Sequence, residues 1–412
     1  MDARTHTYIG YGRSNGHIYL PADARLAHLA VLGASGVGKS IFLESLAAQD
    51  IARGDGVMLL DPHGPLAEAV LRHVPPSRHN EVCVLDLADL SYPVGINFLE
   101  DVEPDRRAVV VDGVIASMRA IWHESWGPRM ELILRHAARA LIEVPNASIA
   151  MIPKLLVDDA YRRRVAQRVS DPYARAFFSD RFETFRETHR AEIVDPILNK
   201  LEALLSFPHI RNVIGAGRST LHLEQAMTRG RIVIVCLART RISETASNLT
   251  GALLIGSVLS KLTMAQKRHF HLIIDEAHSF SSTAVASLVK EARKFGVSVT
   301  FATQDLASLD VRTRAALLGA VHSLMCFRLG VEDADLLAPS FDQQFQSFNP
   351  YALQHFATGE AVIRIGGNDG VVVDVARPRE GEGNVAAIKQ QSRLHYGNRR
   401  EDVERKLLRA LA

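Results

Sequence analysis

The chain has 412 residues and a formal net charge of +2, with 47% of its residues hydrophobic and 23% charged. That length allows one large domain or two, and the balance excludes a disordered or fibrous chain. The small net charge neither requires nor excludes a nucleic-acid partner, because a local basic lining can hide within a balanced total.

Residues 1–28 carry Gly10, Gly12 and Gly16 among short apolar stretches, which predicts a small β-rich lead-in. Leu29-Ala30-Val31-Leu32 then reads as a buried strand. It runs into Gly33-Ala34-Ser35-Gly36-Val37-Gly38-Lys39-Ser40, and from Ile41 to Ala48 the pattern is helical. This strand, G-x-x-x-x-G-K-S loop and helix form a phosphate-binding loop in its required context. The glycines let successive N–H groups turn inward toward a phosphate, and the helix N-terminus adds partial positive charge. Lys39 is expected to reach the β- and γ-phosphates and the Ser40 hydroxyl to ligate Mg²⁺. Gly33 to Ile41 form the nucleotide-binding stretch.

Gly56 to Asp61 is a second buried strand, Pro65 to Val74 a helix, and Val82 to Asp86 a third strand. Apolar strands alternating with helices argue for a parallel sheet covered on both faces. After about Glu103 the strand signal stops. Val109–Trp122, Arg129–Glu143 and Pro196–Leu205 read as amphipathic helices, in a segment rich in arginine: Arg162, Arg163, Arg164, Arg168, Arg175, Arg181 and Arg186. Such a segment reads as an all-helical insertion whose charge either contacts DNA or forms a solvated face. Strands return at Ile232–Leu237, followed by a helix over about Glu244–Gln266. Further strands follow at His271–Asp275, Val297–Ala302, His322–Phe327 and Ala361–Arg364. The expected division is therefore a nucleotide-binding domain in two parts, 1–103 and 230–377, an inserted all-α domain at 104–229, and a polar tail at 378–412 ending in a basic helix. Cys83, Cys236 and Cys326 lie far apart in apolar runs, a pattern of core packing in a reducing cytoplasm without metal spacing or a disulfide framework. No apolar run is long enough for a transmembrane helix, and the first residues lack the apolar core of a signal peptide.

The strand Leu272–Ile274 ends in Asp275-Glu276, the Walker B form. Asp275 is expected to complete the Mg²⁺ site and Glu276 to orient and deprotonate the attacking water. Gln304 ends the next strand, where it would sense the γ-phosphate. Arg293, in Glu291-Ala292-Arg293-Lys294-Phe295-Gly296, is the candidate arginine finger supplied to a neighbouring subunit, which implies a ring. Asp275-Glu276-Ala277-His278 also spells the DEAH box of another helicase class, but the distance in sequence from Lys39 argues against that core.

Several stretches in this order resemble the cytosolic part of the type IV coupling proteins of bacterial conjugation, of the VirD4/TraD kind, within the HerA/FtsK superfamily of P-loop DNA-pumping ATPases. They are Leu32–Ser40, Leu60-Asp61-Pro62-His63-Gly64, Gly95-Ile96-Asn97-Phe98-Leu99, Trp126-Gly127-Pro128-Arg129, Ile274–Ala277, Glu291–Gly296, Ala302-Thr303-Gln304, Phe327-Arg328-Leu329-Gly330 and Ser392–Gly397. The resemblance implies an α/β, RecA-like P-loop NTPase core with a mainly parallel sheet and an inserted all-α domain. It further implies a homo-hexamer that hydrolyses ATP with Mg²⁺ and threads DNA, held by its backbone without sequence preference. By that pattern Arg293 is the trans finger and Gln304 the sensor, the protein is cytoplasmic or docked at the inner membrane through a partner, and secretion-channel or relaxosome proteins are candidate partners. Two alternatives are a cytosolic HerA-type helicase or translocase in repair or defence, and an ATP-gated protein that docks a protein substrate at a secretion channel. Two features depart from the family pattern. Membrane helices are missing from this chain, and Leu237-Ala238-Arg239-Thr240-Arg241 stands where a Ser-Lys-Gly-like turn is expected.

Overall fold

The computed structural model describes residues 6–13, 16–262, 268–280, 282–307, 309, 311–341 and 348–411. The chain folds into two compact units. The first comprises Met1–Val84, Glu224–Cys236 and Leu262–Gln391, and the second Leu85–Leu223, Leu237–Lys261 and Ser392–Ala412.

The eleven strands among the described residues are β1 (His6–Gly12), β2 (Gly16–Pro21), β3 (Leu29–Leu32), β4 (Gly56–Asp61), β5 (Val82–Asp86), β6 (Ile232–Cys236), β7 (Phe270–Ile274), β8 (Val297–Thr303), β9 (Ser323–Cys326), β10 (Glu360–Ile365) and β11 (Val371–Val375). They form one sheet in the order β2-β1-β11-β10-β9-β3-β8-β7-β4-β6-β5. From β9 to β6 every pairing is parallel, and from β9 to β2 every pairing is antiparallel. The β3, β4, β7 and β8 residues are all buried, as expected of parallel strands covered on both faces. The lead-in strands β1 and β2 close the antiparallel wing against β11. That pairing joins the two ends of the sequence, and no local pattern announces it.

In the second unit every regular element between residues 104 and 223 is helical. The helix read as starting at Pro196 begins at Glu187 and runs through the proline to Leu205. Proline removes one intrahelical donor and favours a helix start, but packing of Val194, Ile197, Leu201 and Leu204 into the unit's core carries the helix across it. The helix at Glu244 ends at Ser260, and residues 263–266 of its expected extent lie outside the described residues. It is buried on nearly every side and falls in the second unit, against the helix Arg107–Ile121. Gly113 and Gly256 let the two come close: a Cβ on Gly256 would sit 3.5 Å from Ser117 Oγ and 3.7 Å from Gly113 O. The tail holds two helices, Val385–Tyr396 and Arg400–Leu411. Arg162, within the basic run, is fully buried. It pairs with Glu183 at 2.8 Å and with Asp159, and lies over the Phe182 ring. Arg163, Arg168, Arg181 and Arg186 are exposed and join no ion pair among the described residues.

Candidate nucleotide-binding site

In the first unit the phosphate loop leaves the C-terminal end of β3. Gly36 and Gly38 have φ of 76° and 117°, in the left-handed region that glycine reaches without penalty. A Cβ on Gly33 would lie 2.7 Å from Phe327 Cβ, so the loop fits closely against the end of β9. Three backbone bonds fasten it: Gly33 N–H to Thr303 O at 3.3 Å, Ala34 N–H to Arg328 O at 3.0 Å, and Gly359 N–H to Val37 O at 2.9 Å. The helix Lys39–Arg53 starts directly on Gly38. Lys39 is buried, and its ammonium donates to two carbonyls of the loop itself, Gly33 O at 2.6 Å and Ala34 O at 2.9 Å. Ser40 and Ile41 are exposed in the first helical turn.

Strand β8 pairs with both β3 and β7. The ends of these three adjacent strands therefore collect the phosphate loop, Thr303-Gln304 and Asp275-Glu276. Asp275 is buried, and its carboxyl is pushed up to about 7, by burial first and then by the charges of Glu276 and Asp61. Lys39 opposes that shift. Its own ammonium is lowered by burial, while Glu276, Asp275 and Asp305 work to keep it charged. Gln304 donates from Nε2 to Glu276 Oε1 at 3.0 Å. Lys39, Asp275, Glu276 and Gln304 thus share one site.

Arg293 does not join them. It precedes β8, at the opposite end of the parallel strands from the loop, and its charge acts on His28, just before β3. Burial, followed by Arg293, lowers the His28 imidazole to about 4. Arg293 is exposed and joins no ion pair among the described residues.

Two groups near the site carry no role in the sequence reading. Asp61, in the Asp-Pro-His-Gly stretch, ends β4 and accepts N–H bonds from His63 and Ala67, each at 2.8 Å. A buried apolar strand ending in an acid, as β7 also does, was the available signal. His278 lies 3.4 Å from Glu276 Oε2. A separate cluster lies at the far end of the first unit's strands. Asp50, Asp55 and His271 come within ligating reach of one another, but Arg25 and Arg53 already neutralise the two carboxylates. A cation there would have to displace two guanidinium groups.

Two buried carboxylates, Asp275 and Glu276, face the Lys39 ammonium, and the charge of Asp61 adds to theirs at Asp275, an excess of negative charge that a divalent cation would offset. The residues therefore fit a phosphate-bearing ligand with a divalent metal.

The sequence profile of the HerA helicase central domain matches residues 8–258. No curated protein sequence matches the chain. Among solved structures, the plasmid coupling protein TrwB in complex with ADP and Mg²⁺ is 18% identical, with 90% of each chain covered and a TM-score of 0.64. TrwB in complex with the non-hydrolysable GTP analogue GDPNP is 17% identical, with 89% of each chain covered and a TM-score of 0.64. VirB4 of Thermoanaerobacter pseudethanolicus is 13% identical, covering 90% of this chain and 96% of its own, with a TM-score of 0.63. At these identities the likeness establishes a shared α/β P-loop fold. With the profile spanning more than half of its length, the chain belongs to the HerA helicase central-domain family.

Proposed function

We propose that this chain is a Mg²⁺- and ATP-dependent DNA translocase, acting as a homo-hexameric ring like the cytosolic part of a conjugative coupling protein. The observation that carries the reading is the meeting of Lys39, Asp275, Glu276 and Gln304 at the ends of β3, β7 and β8. Solved complexes of TrwB with ADP and Mg²⁺ and with a non-hydrolysable ATP analogue support ATP and Mg²⁺ as the ligands. Residues 33–41 would hold the phosphates, and Ser40 and Asp275 the metal. When bound, ATP supplies the phosphoryl group and the free energy of its hydrolysis. Lys39 would donate to phosphate oxygens, Glu276 would orient water and take its proton, and Gln304 would report on the terminal phosphate. Arg293 lies too far from its own loop to serve it, which supports a role at a neighbouring subunit's site. The exposed arginines of the helical unit, Arg163, Arg168, Arg181 and Arg186, offer sequence-independent contacts to a phosphate backbone. In this reading the ring works in the cytoplasm, docked at the inner membrane by secretion-channel or relaxosome proteins.

The test is the steady-state ATPase rate with and without single- and double-stranded DNA over a range of protein concentrations. The rate is expected to rise with DNA, more weakly at high salt, and to rise with protein concentration as shared sites assemble. A rate indifferent to both would overturn the motor and favour an ATP-gated docking protein. The HerA profile match favours a second reading, a cytosolic HerA-type translocase in repair or defence. It keeps the same chemistry but needs no secretion partner.

A further inference from the structure

The acidic pair is followed by a turn whose histidine, His278, has no part in the proposed chemistry. Glu276 sits at φ 48° and ψ 51°, in the left-handed region, although it carries a full side chain. Such a residue costs about 1–3 kcal/mol and persists only where its surroundings hold it. The backbone then makes a single tight turn, Ala277–Ser279. That turn brings the His278 ring back beside the carboxylate that precedes it.

His278 Nδ1 lies 3.2 Å from Thr303 Oγ1 and 3.4 Å from Glu276 Oε2. The Thr303 hydroxyl donates its one hydrogen to Asp305 O at 3.0 Å, so toward His278 it can only accept. The Glu276 carboxylate is also an acceptor. Both neighbours of Nδ1 therefore require a donor, and the ring must carry its proton on Nδ1. Glu276 Oε2 is buried and has no full hydrogen bond, and the contact with His278 is a charge–dipole one at 3.4 Å. Its other oxygen, Oε1, takes the Gln304 amide at 3.0 Å.

These contacts divide the labour around the carboxylate. Gln304 is exposed and belongs to the strand end that faces the phosphate loop. If the amide swings away to a phosphate oxygen, Glu276 Oε1 loses that donor. His278 is anchored on Thr303 and does not depend on Gln304. We propose that His278 is the positioning residue for Glu276: its Nδ1–H, held on Thr303, keeps the positive end of that bond's dipole 3.4 Å from the carboxylate and so keeps it aimed whether or not Gln304 is engaged. The proposal rests on Glu276 being the base.

Two measurements test it. The first is turnover of His278→Ala, His278→Asn and His278→Gln. Asparagine places an N–H near the position of Nδ1, whereas glutamine reaches toward that of Nε2. We expect His278→Ala and His278→Gln to lose kcat by on the order of 100-fold, as mis-aimed groups do, with KM for ATP within about twofold. His278→Asn should recover most of that loss, and because both amides are near in size to imidazole, their contrast stands even if the alanine variant fails to fold. Equal activity of all three variants and wild type, with Glu276→Gln inactive, would overturn the positioning role. Normal turnover by Glu276→Gln would instead overturn the base assignment. The second measurement is the ¹⁵N spectrum of the histidine side chains in the nucleotide-free protein, with His278 assigned by its loss in the asparagine variant. An Nδ1–H tautomer is expected, and an Nε2–H tautomer would overturn the proposal without reference to activity.

Discussion

Replacing Asp275 by asparagine should stabilise the nucleotide-free protein. The carboxyl ionises near 3.8 in an ordinary setting and near 7 in the fold, where burial, Glu276 and Asp61 all oppose its charge. Each tenfold in proton affinity is worth about 1.4 kcal/mol, so the ionised folded state carries a penalty of about 4 kcal/mol, an upper bound. The sign follows from the proton count. Between the two values the folded chain holds a proton that the unfolded chain has released, so stability falls as pH rises through that window and is level above it. Asparagine keeps the acceptor that Asp275 Oδ1 offers to the Glu276 N–H at 3.0 Å and removes the charge. Thermal melts without nucleotide or divalent metal should therefore place Asp275→Asn above wild type by on the order of 5–10 °C at pH 8. The gap should shrink to the equivalent of about 1 kcal/mol at pH 4.5. Adding Mg²⁺ and a non-hydrolysable ATP analogue should raise the wild type more than the variant. A gap that does not change with pH, or a variant that melts below wild type at pH 8, would refute the argument that a buried cluster of carboxylates awaits a cation.

Lys39→Ala should abolish ATP hydrolysis and weaken nucleotide binding, read by turnover and by fluorescence titration, whereas Glu276→Gln should bind nucleotide and stop turning over. Arg293→Ala should be inactive alone yet partly rescued in mixed rings with Glu276→Gln subunits, because the two defects lie on opposite sides of one interface. No rescue at any mixing ratio would remove the trans role. Arg25→Ala should destabilise the chain in urea melts, since it removes the 2.9 Å partner of the buried Asp50, but by less than the ~3–5 kcal/mol of a fully orphaned buried charge, because Arg53 still pairs with the same carboxylate; adding Asp50→Asn should restore part of that loss.

What the sequence made legible is what local chemistry dictates. The glycines of the phosphate loop, the lysine after them and the acids ending an apolar strand each declare themselves within a few residues. Strand alternation also placed β3, β4, β5, β6, β7 and β8 to within a residue or two. The unread parts depend on partners distant in sequence. The sheet order that sets β8 between β3 and β7 explains why Gln304 reaches Glu276, and no spacing encodes it. The helix Glu244–Ser260 lies between two strands of the sheet in sequence but packs in the helical unit, because its nearly unbroken apolar surface needs cover on every side. His278 was legible only as a letter in a motif. Its relation to Glu276 arises from the left-handed turn, which no residue pattern announces.

The placing of β3 has a consequence for dissecting the protein. Its two neighbours, β8 and β9, both come from the last third of the chain. A fragment cut to the stretch that matches the family profile, residues 8–258, would keep every residue of the phosphate loop. It would also leave the strand that presents the loop with two bare edges, an invitation to aggregate. The loop's anchors at Thr303, Arg328 and Gly359 would be missing as well. The most recognisable motif in this protein is therefore its least autonomous part, and truncation would report on the loss of its socket rather than on the motif.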